Sequence, residues 1–250
     1  MNKDLVSSFK YNLFSDFIAA SLAGLIATPF VSIIDKAVVE STAKSISLKK
    51  SVKDGFKQLI KPSKFIRSPQ FLMVWGVYSA TYLAANWSDT LTNEYNFSDD
   101  NKEITKLGST VTVNMIACIA KDKAFAINYG IQTAKSFPMI SYNLFLARDI
   151  ISIASSFTLP KIISDKVYDK TNYNLETGVQ LLVPGLFQFI NTPIHLLSLD
   201  YYNRPNVKFN NRVNLISDLY KSTTLIRVLR LTLSFGLGGV ANKKLKSILN

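Results

Sequence analysis

The stretch LFSDFIAASLAGLIATPFVSII, residues 13–34, decides how the rest of the chain is read. About 20 mostly apolar residues are what a helix needs to cross ~30 Å of hydrocarbon. Its small residues Ala19, Ala20, Ala23 and Gly24 would let a neighbouring helix approach closely. A secretory leader would have a shorter apolar core beside a small-residue cleavage site, so the length marks a first membrane helix. The polar residues 1–11 before it are too few for a separate targeting domain, and Asp35 and Lys36 are expected to end it.

Apolar runs taken with their flanking charges and breakers give five further spans: about 69–87, 107–131, 138–163, 179–199 and 225–240. The second span of the chain starts at Pro69 and carries Trp75, Tyr78, Tyr82 and Trp87, the aromatic character of membrane interfaces. Pro184 and Pro193 lie in the fifth, and Gly236, Gly238 and Gly239 in the sixth, as in packed membrane helices. Residues 46–60 read as a short amphipathic helix on the membrane surface, and 213–220 as a shorter one. Residues 93–106 and 164–177 read as polar loops. The expected fold class is all-α, a polytopic membrane bundle of about six transmembrane helices forming a single membrane domain over residues 1–250.

Composition agrees with a lipid solvent. Hydrophobic residues make up 48% of the chain and charged residues 18%, less than the roughly 25% usual in soluble domains. The net charge is +12, from 29 Lys and Arg against 17 Asp and Glu. The basic residues lie mostly between and at the ends of the apolar stretches, where they meet anionic lipid headgroups or anionic solutes; no nucleic-acid partner is expected. The single cysteine, Cys118, and the single histidine, His195, exclude an internal disulfide, a Cys-based zinc site and most triad chemistry. No phosphate-cradling loop occurs, so no enzyme activity, metal or cofactor is expected.

Ionisable residues inside spans cost ~2.5 to 3.5 kcal/mol each on insertion scales, so they need partners or a wet cavity. The third span contains Lys121, Asp122 and Lys123, and the fourth Arg148 and Asp149. Adjacent residues project about 100° apart on a helix, so Arg148 and Asp149 are not expected to neutralise each other simply. They are expected to face a central cavity with Asp122 and Lys121, where Arg grips an anionic solute, or else to form a structural interhelical ion pair. Arg227 and Arg230 share a helical face and either line that path or mark an interface, as Arg67 does. His195 is a candidate proton-coupling residue, with packing as the blander alternative.

The first and last thirds share an order of features: Thr28-Pro29, Asp35, an amphipathic piece and Arg67, then Thr192-Pro193, Asp200, another such piece and Arg227 and Arg230. From proline to basic residue is 38 positions in the first and 34 or 37 in the last. This order resembles the mitochondrial carrier family, in which three pairs of membrane helices surround a solute site. The resemblance implies approximate repeats at 10–95, 103–168 and 176–250, the middle one shortened at residues 132–137. Of the family's acidic motif positions only Asp122 matches, while Asp35 and Lys36, a turn further along, would replace part of the gating charges.

The same resemblance implies multi-pass transport of a small anionic metabolite in the mitochondrial inner membrane. Arg148, Asp149, Lys121, Asp122, Arg227 and Arg230 would bind the solute, and Asp35, Lys36 and His195 would gate or couple protons. Anionic lipid, cardiolipin included, is the expected surroundings. The alternative is a carrier-shaped protein that has lost transport and serves assembly of a larger membrane complex.

Overall fold

Apolar runs this long, with few residues that favour strands or turns, fold as helices. In the computed structural model, which describes residues 3–44, 46–131, 137–155, 159, 163 and 173–249, every regular element is helical. The helices are α1 (Lys3–Lys44), α2 (Leu48–Gln58), α3 (Pro62–Ile66), α4 (Pro69–Glu94), α5 (Asp99–Tyr129), α6 (Met139–Ile153), α7 (Tyr173–Asn203), α8 (Phe209–Leu233) and α9 (Val240–Leu249). A π-helical turn, Ser234–Gly239, joins the last two. Among the described residues two of these helices are long and apolar enough to cross a membrane: Ser8–Lys44, with an 18-residue stretch of mean hydropathy 2.1, and Leu182–Asn203, with one of 1.2.

Several element ends depart from expectation for local reasons. Asp35 and Lys36 do not stop α1, which continues to Lys44, because both charges are met inside the fold: Asp35 by Arg230, Lys36 by Glu40 at 3.9 Å and by the ring of Tyr129. Residues 93–106 are not one loop. The chain turns through Asn96, at φ 50° in the left-handed region that Asn tolerates, and α5 starts at Asp99 with Asp99 and Asp100 in its first turn, where carboxylates suit the helix dipole. Residues 213–220 are not a separate surface piece but part of α8. The fourth span shows α6 from Met139, with most of 156–163 outside the described residues, as are 132–136 of the short middle connection and 164–172 of the second loop.

The amphipathic helix α2 is present, and it is fastened to α1. A Cβ on Gly55 would fall 2.5 Å from Ile33 Cγ2, so only glycine lets α2 come this near, and the Ser51 hydroxyl donates to Glu40. Lys49, Lys50 and Lys53 stay on its outer side.

The chain divides into two units, residues 1–32, 61–121 and 233–250 in one, 33–60 and 122–232 in the other. In the first, α1 and α4 approach at Gly24, whose Cβ would lie 2.5 Å from Ser79 Oγ and 3.2 Å from its backbone N. The Trp75 and Trp87 indoles donate to the Ser21 and Leu13 carbonyls, both at 3.0 Å. The π turn meets α4 through Tyr78 Oη and Ser234 Oγ at 2.6 Å, and a Cβ on Gly238 would strike Tyr82 Oη. Of the glycines named for the sixth span, Gly238 thus acts in close packing, whereas Gly239 has nothing within 4 Å.

In the second unit, α6 and α7 are joined by a reciprocal pair: Ser141 Oγ donates to the Ser198 carbonyl at 2.9 Å and Ser198 Oγ to the Ser141 carbonyl at 2.8 Å. Pro193 lacks the N–H that would bond the Phe189 carbonyl four residues earlier, and the Tyr220 hydroxyl of α8 donates to that carbonyl at 3.0 Å. The turn between α7 and α8 is clamped by buried Asp200, which accepts from Arg204 Nε and Arg212 Nη1, each at 2.5 Å. Arg212 Nη2 also donates to the Arg204 and Pro205 carbonyls at 2.7 and 2.9 Å.

Polarity is inverted on several helices. On α7 the exposed residues are Leu182, Leu186, Phe189 and Ile190, while Gln188, Asn191, Thr192 and His195 are buried. On α6 Met139, Ile140, Leu146 and Ile150 are exposed while Arg148 and Asp149 are buried, and on α8 Leu225 and Leu229 are exposed while Thr223, Thr224 and Arg227 are buried.

Candidate functional site

The buried polar faces of α5, α6, α7 and α8 in the second unit hold most of the residues that stood out in the sequence. Arg148 is their hub. Its Nη1 lies 2.6 Å from Asp122 Oδ2 on α5 and 2.9 Å from His195 Nδ1 on α7. Its Nε donates to Asp149 Oδ1 at 3.0 Å, and Nη2 also donates to that oxygen. The Phe145 ring lies 5.2 Å from the guanidinium carbon and stacks obliquely on His195 at 5.6 Å, closing the hub from one side.

Donor and acceptor inventory fixes the histidine tautomer. Arginine only donates, so His195 Nδ1 accepts and the neutral ring carries its proton on Nε2. Arg148 and Asp149, expected not to neutralise each other, do pair. The 100° between their Cα directions is spanned because the long arginine side chain turns back alongside its neighbour. Arg148 is thus held by two carboxylates and a histidine, which ties three helices together.

Arg230 makes the second tie. Its Nε lies 2.7 Å from Asp35 Oδ1 and its Nη2 donates to Oδ2 at 3.2 Å, an ion pair joining α8 to the second half of α1. Arg227, one turn earlier on α8 and 7% exposed, is arranged differently: its Nε donates to Gln188 Oε1 of α7 at 3.1 Å, and no carboxylate among the described residues forms an ion pair with it. Asn191 Nδ2 donates to Ser152 Oγ at 2.9 Å, and Ser152 Oγ to the Arg148 carbonyl at 3.0 Å.

Asp35, Asp122, Arg148, Asp149, His195, Arg227 and Arg230 are therefore in one unit. Lys121 is buried but ends the other unit, Lys36 serves its own helix and Tyr129, and Lys123 stands over the Tyr142 ring at 5.4 Å. Arg67 is exposed. Sequence reasoning missed Gln188, Asn191 and Ser152, whose signal is a helical face spaced three and four residues apart within an apolar span. It also missed a buried network in the first unit. There Asp16 accepts from Thr90 Oγ1 at 2.5 Å and pairs with Lys246 at 3.3 Å, while the Asn86 and Asn242 amides exchange bonds of 3.0 and 2.9 Å. Beside it a cavity of about 410 Å³ is lined by Asn12, Asp89, Thr90, Asn93, Glu94 and Lys246. Among the described residues no group of His, Cys, Asp and Glu is arranged to hold a metal.

Comparison with known families matches residues 19–250 to the family described as probable citrulline exporter. No curated protein and no solved structure matches the chain. The match overturns the resemblance to mitochondrial carriers: the family is a different one, and no carrier family matches. The repeated order of proline, acid and base that suggested it comes from features any packed membrane helix needs: proline kinks, and ionisable residues that must find partners. The mitochondrial placement and the assembly reading were drawn from that resemblance and have no other ground.

Proposed function

Because the chain belongs to the probable citrulline exporter family, a family of transporters and not of enzymes, we propose that it spans a membrane several times and carries a small metabolite of the citrulline class outward through the second unit. The observation that carries this reading is the inverted polarity of α6, α7 and α8: apolar side chains face out, while Arg148, Asp149, His195 and Arg227 are buried. In water such faces would turn the other way round, because an exposed apolar face costs free energy and a buried ion more still. Lipid outside and a polar path inside satisfy both.

Under this reading the two ion-pair ties are the moving parts. A path closed by Arg148 with Asp122 and His195, and by Arg230 with Asp35, opens when those partners separate. Solute binding offsets the lost pairing, which is how a ligand drives an equilibrium between two conformations. Arg148 is then the residue that locks, not the one that grips.

The test is efflux of labelled citrulline from lipid vesicles containing the purified protein. Wild type is expected to release it in a saturable way, and Arg148→Met to release it at least tenfold more slowly. Wild-type vesicles no leakier than empty ones would end the transport reading.

A further inference from the structure

We propose that Arg227 is the anchor for the solute's carboxylate; this rests on the transport reading above. The buried arginines of the second unit differ in what holds them. Arg148 has Asp122 and Asp149, Arg230 has both oxygens of Asp35, and Arg212 shares Asp200 with Arg204. Arg227 is as deeply buried, yet among the described residues it spends one N–H, on the neutral Gln188. A buried guanidinium left this way is costly unless something else supplies the charge.

The surroundings repeat the pattern. Thr223 and Thr224, one turn before Arg227 on α8, are buried with hydroxyls that have no hydrogen-bond partner among the described residues. On α7, one turn after Gln188, the same holds for Asn191 Oδ1 and Thr192 Oγ1. Residues three and four apart share a helix face, so these groups lie on the faces that carry Arg227 and Gln188. Buried polar groups in native proteins are almost always satisfied, and several unspent ones beside an unspent cation mark a place prepared for a polar ligand.

A carboxylate is the ligand group that answers such a guanidinium, accepting from its fork in two parallel hydrogen bonds. The uncharged amide-like side chain of citrulline would bond the neutral groups, Asn191 Oδ1 and Thr192 Oγ1. Gln188 is the positioning residue, holding Nε so that both Nη groups point at the ligand.

The experiment is thermal stability of the full chain in detergent, with citrulline and with its analogue lacking the carboxyl group. Wild type is expected to melt higher with citrulline and unchanged with the analogue. Gln188→Glu supplies the missing carboxylate in place, so it is expected to raise the melting temperature without ligand and to abolish the citrulline shift. Arg227→Gln is expected to weaken citrulline binding at least tenfold, and Arg227→Lys less. A wild type stabilised equally by the analogue, or not at all by citrulline, overturns the anchor, as does a Gln188→Glu protein that keeps the full shift. Vesicle efflux separates the two ideas. Carboxyl-dependent binding without efflux sinks transport alone, and efflux with unchanged half-saturation in Arg227→Gln sinks the anchor alone.

Discussion

Arg148 shows how a single residue can be both expensive and indispensable. Its guanidinium pairs with both Asp122 and Asp149, so deleting it would take that cation away from two buried carboxylates at once. Arg148→Met is expected to destabilise the protein by about 3–5 kcal/mol, the usual cost of removing one partner from a buried ion pair. Adding Asp122→Asn should recover part of that, because one stranded charge is gone, and a double-mutant cycle from denaturation in detergent reads the coupling directly. Purely additive losses would mean the two residues do not interact. The ionised members of this site were legible in the sequence because a charge inside an apolar run is conspicuous. Gln188, Asn191 and Thr192 were not, since neutral polar residues are ordinary in helices and only the fold shows that theirs is the buried face. Nor could sequence say that Asp35 would meet Arg230, nearly two hundred residues away.

At the scale of elements, proline and glycine decide how the helices meet, and each makes a separable prediction. Tyr220→Phe leaves the Phe189 carbonyl without the hydroxyl that replaces the N–H missing at Pro193. The expected loss is about 0.5–1.5 kcal/mol, the net worth of one neutral hydrogen bond, measured by chemical denaturation. Two glycines of the first unit should respond in opposite directions. Gly24 has Ser79 Oγ where its Cβ would be, so Gly24→Ala is expected to cost about 1–3 kcal/mol by overpacking. Gly76, on the other face of α4, has nothing within 4 Å, and Gly76→Ala should stabilise the helix by about 0.5–1 kcal/mol. Equal responses would show that the close contact of α1 with α4 does not exist. Helix existence was legible from apolar runs, whereas helix ends were not. Charges such as Asp35 and Lys36 read as stops until a partner on another helix removes the reason to stop, and 99–106, polar but for Ile104, continues into α5 because nothing in it forbids helix.

For the whole molecule the question is which solvent it folds in, and the faces of α7 give the sharpest test. Leu182, Leu186, Phe189 and Ile190 recur at helical spacing and are all exposed, while Gln188, Asn191, Thr192 and His195 are buried. Composition and run length suggest about six spans in lipid, whereas among the described residues two helices are long and apolar enough to cross a membrane, and polar residues lower a helix's mean hydropathy whichever way they face. Exposure of each face therefore tells more than mean hydropathy. If lipid covers the outer face, an arginine at Leu186 must cross or sit in hydrocarbon, at ~2.5 to 3.5 kcal/mol on insertion scales, which is enough to remove most of the protein from the membrane. Asn191→Leu changes polarity by a similar amount, but on the buried face, and should insert as wild type does while losing citrulline efflux. Alkaline carbonate extraction of membranes expressing each variant reads insertion directly. Leu186→Arg should appear largely in the soluble or degraded fraction and Asn191→Leu in the pellet; a Leu186→Arg protein retained as fully as wild type would place the outer face of α7 in water and remove the physical basis for a transporter.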